Sequence, residues 1–445
     1  MENQKQTRIP NIGKPRVVII GGGFGGLELV KALKKVDVQT VLFDKHNHHT
    51  FQPLLYQVAT SGLETNSIVY PFRKKFDRQK NFYFRLAEVK KIYPDEKYIE
   101  TSIGVLEYDF LVIATGATTN YYGAKDIAKN SLPMKTIEDS IRLRNRIINN
   151  FEEALLVEDD VKLNSLIDFV VVGGGPTGVE VAGALAELRN YVFPTDYKEL
   201  DLLKMDIDLI EASPSLLNGM AQPAGQKAQK FLENMGVRVH TQTSVKSYDG
   251  YTVELSNGKQ LITRNLIWAA GVTGCVLQGL KPEAVSKGNR YFVNEFNQIQ
   301  GHDDIFALGD VAAMVSEDYP RGHPQMAPPA MQQGKLLAKN IKKLMNKQPL
   351  KSFKYFNQGS MATIGRNRAV VEMGKFKIQG FIAWFIWMFV HLMSLVGYRN
   401  RLLVFFSWMW SYFSYDRSNR LIIGNAGTEH PEIEKIDEVL PKKTE

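Results

Sequence analysis

Two glycine-rich segments of almost the same pattern, about 150 residues apart, constrain this chain more than any other feature. The first is Arg16–Gly26, RVVIIGGGFGG; the second is Asp168–Glu180, DFVVVGGGPTGVE. Each begins as an apolar run without a polar break, as a parallel strand buried on both faces does, and each opens into a plausible helix. In such a unit the first glycine allows the tight turn. The second lets backbone N–H groups approach a pyrophosphate, and the third lets the helix lie close on the strand. One copy alone is a weak signal. Two copies in the right context predict two bound dinucleotides, hence electron transfer between them.

Each copy is followed by an acidic residue at the end of the next strand. Val38–Phe43 ends in Asp44, eighteen residues past Gly26, near the spacing of about 20 that the fingerprint requires. Ile207–Ile210 ends in Glu211 after a longer gap, in which Arg189–Met205 reads as an extended helix plus a connection. A carboxylate there accepts hydrogen bonds from a ribose diol and repels a 2′-phosphate, so the second site favours NADH over NADPH.

At 445 residues the chain has room for two or three domains of about 150 residues. A single cysteine, Cys275, excludes a redox-active cysteine pair and a cysteine-ligated iron–sulfur cluster. Met1–Lys14 is polar and lacks an apolar core, so no signal peptide is expected. The histidines show no metal-ligand spacing. His46, His48 and His49 cluster in a loop beside Asp44, where contact with a bound flavin fits better than a metal, and no metal site is expected.

Much of the formal net charge of +8 is concentrated near the carboxy terminus. Between Gly359 and Ile422, eight basic residues face only Glu372 and Asp416. What lies between these charges is apolar: Phe381–Tyr398, then Leu402–Phe413, with four of the five tryptophans. Tryptophan concentrates at bilayer interfaces. The first run is borderline for a span of about 20 residues and the second too short to return. Two helices lying in the interface, anchored by tryptophan and by the basic residues of 375–420, are expected. A hydrophobic dimer interface is the other reading and is compatible with the first. Nucleic acid is excluded as a partner, because the aromatic residues do not alternate with the basic ones.

Phe110–Ala117 reads as a buried strand ending in a glycine turn at Gly116, and Leu266–Val272 repeats it with Ala270 and Gly271. Alternating β pattern precedes each, over Phe82–Glu107 and Val237–Thr263, the latter with a hairpin signal at Ser256–Lys259. Asp304–Val311 adds a strand ending in Gly309–Asp310, and a proline-rich loop then leads into a helix from Ala330. This is an α/β chain of two related βαβ units, the second inserted into the first.

At this point the sequence resembles the two-dinucleotide-binding-domain flavoproteins with the glutathione-reductase-like fold and, within them, the type II NADH dehydrogenases, single-subunit non-pumping NADH:quinone oxidoreductases. The segments that carry the resemblance are Phe51–Ala59 (FQPLLYQVA), Gly173–Glu180 (GGGPTGVE), Gly359–Arg366 (GSMATIGR) and Val390–Arg401 (VHLMSLVGYRNR). It implies two Rossmann-like domains, FAD on the first and NADH on the second. The boundaries are a polar tail at 1–14, FAD-binding segments at 15–118 and 273–348, an NADH-binding domain at 119–272, and a membrane-anchoring and dimerisation region at 349–445.

The resemblance also implies site residues. Gly21, Gly22, Gly23, Phe24, Gly25 and Gly26 would cradle the FAD pyrophosphate, and Asp44 with Lys45 would hold the adenosine ribose. Gln52 would lie near the flavin, the Val89 backbone would meet the adenine, and Gly309 with Asp310 would meet the ribityl chain. Gly116, Ala327, Ala330 and Met331 complete that site. On the NADH side stand Gly175, Thr177, Gly178, Glu211, Ala270 and Gly271. Glu180 matches the family's active-site glutamate and is expected to handle a proton or orient the nicotinamide; the bland reading is a first-turn carboxylate on a helix dipole. Gln332 is the second catalytic candidate, with Gln333 beside it, although a glutamine pair on a helix is often only a solvated face.

One departure is plain. The family's quinone motif is Ala-Gln-x-Ala-x-Gln, whereas here Ala327 is followed by Pro328, which carries no side-chain amide. The implied function is FAD-dependent transfer of a hydride from NADH and of two electrons to menaquinone or ubiquinone, without proton pumping. The implied setting is a homodimer, peripheral or monotopic on the cytoplasmic face of the inner membrane. The alternative is another NADH-dependent flavoprotein of the same fold, a ferredoxin-type reductase or a redox-responsive NADH-binding protein.

Overall fold

The computed structural model describes residues 5–417 and 419–424. Two five-stranded parallel sheets dominate it. In the first, Arg16–Ile20 is central, between Gln39–Asp44 and Phe110–Ile113, with Phe82–Leu86 and Ile305–Ala307 at the edges. In the second, Phe169–Val172 is central, between Ile207–Ile210 and Asn265–Trp268, with Arg238–His240 and Leu132–Pro133 at the edges. Both central strands are buried along nearly their whole length, which explains their unbroken apolar sequence. The first sheet receives its edge strand Ile305–Ala307 only after the second unit is complete, so the second unit is an insertion. The two crossings between units run side by side as an antiparallel ribbon, Ala117–Thr119 against Val272–Gly274. Three-stranded meanders fall where alternation predicts them, over Val89–Glu107 and Val245–Ile262.

Helix α1 (Phe24–Leu33) leaves the first glycine loop and α2 (Pro176–Glu187) leaves the second. Helix α3 (Ala327–Met345) lies against α1. Their backbones come close because neither carries a side chain at the crossing: a Cβ on Gly334 would sit 2.5 Å from the Gly25 carbonyl oxygen, and one on Gly25 would sit 2.2 Å from Leu308 Cδ1. The sequence expectation placed the start of α3 at Ala330. It starts at Ala327 instead, because Pro328 and Pro329 lie in the first turn, where a missing N–H leaves no bond unmade. The extended helix plus connection expected over Arg189–Met205 is present. After one wide turn the helix ends at Asp196, and Pro194 has no N–H to continue the ladder.

Two further helices, α4 (Phe381–Ser394) and α5 (Tyr398–Ser414), form the carboxy-terminal hairpin. Its inner stripe is Ala383, Trp387, Asn400, Val404 and Trp408, all buried, and it joins the core that contains Tyr56 and Val179. The rest of the surface is apolar and open: Ile382, Phe385, Phe389, Trp410 and Phe413 are each more than half exposed. The four tryptophans therefore do not act alike. Trp387 and Trp408 are core residues and Trp410 is at the surface, a split that composition cannot reveal. Among the described residues no helix is long and apolar enough to cross a membrane. The polar amino-terminal tail is also tied down: Thr7 and Ile9 are buried, and the Thr7 N–H donates to Val105.

Candidate functional site

The two glycine loops have the same geometry. Gly21 and Gly173 open them at φ +103° and +111°, a region that side chains disfavour. A Cβ on Gly26 would sit 2.0 Å from the Gly21 carbonyl oxygen, and one on Gly178 would sit 1.8 Å from that of Gly173, so these two glycines let helix and strand touch. A Cβ on Gly23 or Gly175 would meet nothing within 4 Å. The space over each loop is thus open where a pyrophosphate would lie, at the N-terminal end of a helix. The acidic partners repeat as well. Asp44 Oδ2 accepts from Gly22 N at 2.6 Å and its Oδ1 from His46 N at 2.8 Å. Glu211 Oε2 accepts from Gly174 N at 2.5 Å and its Oε1 from Ser213 N at 2.7 Å. A carboxylate has about four lone-pair sites, so each can brace its loop and still accept from a ribose diol. Both cradles fit a dinucleotide.

Between the cradles, the turn glycines cross-connect the units. Cys275 N donates to the Gly116 carbonyl and Asn120 N to that of Gly271, beside Ala270. Asp310 is partly buried. Burial raises its pKa, opposed by Lys135 and Arg290, with Lys135 Nζ 3.8 Å from Oδ2. Lys135 reaches this cleft because Leu132–Pro133 completes the edge of the second sheet. No motif marked it in the sequence. Gly309 N donates to Gln333 Oε1 at 2.7 Å. Gln333 is 1% exposed, so the view of the glutamine pair as a solvated face fails for it: the close α1–α3 contact buries that side of α3. Gln332 spends its amide on the backbone of Phe356, donating to the carbonyl at 2.9 Å and accepting from the N–H at 3.0 Å.

The remaining candidates are spread around the two cradles. Val89 is buried in the meander, and Gln52 and Thr177 are exposed at the two cradles. Lys45 pairs with Glu88 at 2.7 Å. Ala327, Ala330 and Met331 lie in the opening turns of α3. The histidine cluster is less uniform than expected. His48–Thr50 is a short strand, and His49 is buried with Nδ1 3.0 Å from the Gly22 carbonyl, edge-on to Phe24 at 5.0 Å. A carbonyl can only accept, so His49 is the Nδ1–H tautomer. Burial lowers its pKa to about 4, which keeps it neutral. Among the described residues no cluster of three or more acidic, histidine or cysteine side chains is placed to hold a metal ion.

Glu180 is not a first-turn carboxylate. It lies in the second turn of α2, points into the core and is 8% exposed. Burial pushes its pKa up to about 8, opposed by the Thr363 backbone N–H and the Trp387 indole. A buried carboxyl that titrates near neutrality, between a nucleotide cradle and the apolar hairpin, is suited to taking and giving a proton. Tyr56, Gln57, Trp387 and Trp408, which surround it or line a neighbouring cavity, went unassigned in the sequence. Tyr56 and Gln57 stand inside the quoted motif Phe51–Ala59, but nothing in that motif says they face a helix more than 300 residues away.

Two cradles for dinucleotides, one inserted in the other and joined at a common cleft, define a pyridine-nucleotide-dependent flavoprotein fold. The pyridine nucleotide-disulphide oxidoreductase family matches residues 15–334, and the NDH2 C-terminal domain matches residues 357–415. The type II NADH:quinone oxidoreductase NdhA of Mycobacterium tuberculosis is 37% identical over 427 residues, 92% of this chain and 90% of that protein. The type II NADH:quinone oxidoreductase Ndh of the same organism is 34% identical, covering 99% of this chain and 97% of its own. NDH2 of Plasmodium falciparum, solved in complex with NADH, shares the fold at a TM-score of 0.83 and 21% identity, over 92% of this chain and 100% of that one. The chain belongs to the pyridine nucleotide-disulphide oxidoreductase family and, within it, to the type II NADH:quinone oxidoreductases.

Proposed function

We infer that this protein is an NADH:quinone oxidoreductase that works through bound FAD. FAD supplies the two-electron relay that accepts hydride from NADH and passes the electrons to quinone. The observation that carries this reading is the duplicated cradle, with buried Glu180 between the second copy and an apolar helical hairpin. In this reading Gly21–Gly26 and Asp44 hold FAD, with Asp310 on its ribityl chain. Gly175, Thr177 and Gly178 hold the NADH pyrophosphate, and Glu211 holds its ribose and disfavours a 2′-phosphate. Glu180 supplies the proton that quinone needs, and the first turn of α3 aims its dipole at the negative charge that builds in the cleft. Pro328 leaves quinone contact to backbone groups and neighbouring side chains.

Type II NADH dehydrogenases are membrane-associated. For this chain the docking surface is the exposed face of α4 and α5, with Lys375, Lys377, Arg399 and Arg401 at its border facing an anionic bilayer from the cytoplasmic side. Part of the same face would carry contact between two copies in a homodimer. The reading is tested by stopped-flow flavin absorbance on the purified holoprotein mixed with NADH or NADPH, then with menaquinone or ubiquinone analogues. NADH bleaches the flavin much faster than NADPH, and quinone restores it. Glu180→Gln slows turnover with quinone while FAD stays bound. Protein that takes up no FAD, or whose reduced flavin ignores both quinones, ends the reading.

A further inference from the structure

The overall reaction, NADH + quinone + H⁺ → NAD⁺ + quinol, takes up one proton per turnover, and that proton has to reach a carboxyl that is almost wholly buried. Thr363 and Trp387, the two groups that face Glu180, also line a partly open cavity of about 90 Å³, together with Tyr56, Gln57, Glu187, Arg366 and Arg417. A water needs about 10–15 Å³ of such space, so the cavity has room for more than one, and its lining offers them polar partners. Glu187 lies on α2 two turns beyond Glu180. Arg417 Nη2 holds it at 2.6 Å and Arg366 N at 2.5 Å.

The hydrogen bonds at the inner end of this cavity fix a direction. The Trp408 indole can only donate, and it donates to Gln57 Oε1 at 2.7 Å. The amide of Gln57 is thereby oriented, and its Nε2 donates to the Tyr56 hydroxyl oxygen at 2.9 Å. With its oxygen accepting from Gln57, the hydroxyl is left to point its own proton elsewhere, and Tyr56 lines the cavity. Its hydroxyl is within electrostatic reach of Glu180, Glu187 and Arg417, and burial with the two carboxylates raises its pKa, so it stays protonated.

We propose that Tyr56 is a positioning residue for proton uptake, its hydroxyl linking the cavity water to Glu180. In each transfer the hydroxyl proton passes through water to the Glu180 carboxylate and another cavity water returns a proton to the tyrosine oxygen. Tyr56 is unchanged and the proton taken up comes from bulk solvent. The proposal rests on the assignment of proton delivery to Glu180.

Three variants of the full-length holoprotein test it: Tyr56→Phe, Gln57→Glu and Glu180→Gln. Tyr56→Phe lowers kcat with a soluble quinone analogue about tenfold, with KM for quinone and the rate of flavin reduction by NADH within about twofold, and with a larger solvent deuterium effect on kcat. Gln57→Glu keeps the hydroxyl but presents a carboxylate that accepts from both Trp408 and Tyr56. It captures the tyrosine proton and slows turnover in the same way, which a loss of packing would not predict. Normal kcat and a normal deuterium effect in both Tyr56→Phe and Gln57→Glu, with Glu180→Gln slow, overturn the role of Tyr56 alone. Normal kcat in Glu180→Gln overturns the assignment of Glu180, and the proposal with it.

Discussion

At the scale of single residues, neighbouring glycines of one loop do different physical jobs, and the difference can be measured. Gly175 faces open space in extended backbone, whereas Gly178 lies against the Gly173 carbonyl. Gly175→Ala keeps its thermal midpoint within about 1 °C but raises KM for NADH about tenfold, because its methyl group occupies the space over the loop. Gly178→Ala forces helix and strand apart and loses about 1–3 kcal/mol of stability, seen as a lower midpoint in calorimetry. Equal midpoints for the two would refute the division of labour. Glu180 gives a second test. Its pKa is near the usual carboxylate value when unfolded and about 8 when folded, so between about pH 5 and 8 the folded state binds the extra proton. Stability therefore falls as pH rises through that window, by about 5 kcal/mol at most. Glu180→Gln does not titrate, so its thermal midpoint relative to the wild type rises from pH 5 to pH 8. A difference independent of pH would show that Glu180 is not buried as described.

At the scale of elements, the sequence was most legible where a local rule fixes geometry. The glycine loops, the strands before them and the acidic strand ends need only neighbours in the chain, and all are where the sequence puts them. Helix faces were harder to read. Gln333 is buried because Gly25 and Gly334 bring two helices together from opposite ends of the sequence, and no periodicity within α3 announces that. Lys135 and Tyr56 enter the site by the same kind of distant pairing. In the hairpin, aromatic content marked an apolar pair of helices correctly, but only packing separates Trp387 and Trp408 from the exposed Phe385 and Phe389. That separation makes a prediction for the hairpin as a unit. Phe385→Glu with Phe389→Glu leaves the core intact, so the thermal midpoint in detergent stays within about 2 °C, while each phenylalanine withdrawn from lipid forfeits about 1.5–3 kcal/mol of transfer energy. Flotation with anionic vesicles should fall more than tenfold. Undiminished flotation would place the bilayer contact elsewhere on the protein.

At the scale of the whole molecule, one side chain joins three parts of the chain. Arg417, beyond the end of α5, donates to the Thr60 carbonyl of the first unit at 3.0 Å and to Glu187 of the inserted unit at 2.6 Å, with the Ala184 carbonyl at 3.5 Å. The Arg417 and Glu187 side chains are only 11% and 14% exposed. The same three parts share one core around Tyr56, Val179, Trp387 and Trp408, and the hairpin also walls the cavity lined by Tyr56, Gln57 and Glu187. Arg417→Met takes away the cation and leaves Glu187 charged and half-satisfied. Breaking such a buried pair costs about 3–5 kcal/mol, whereas removing both charges is often near neutral. Arg417→Met should therefore lower the thermal midpoint by several degrees, and Glu187→Gln added to it should recover most of the loss. If the double variant is no more stable than Arg417→Met, the three parts are held by their shared apolar core, and the ion pair between α2 and the carboxy-terminal segment contributes little.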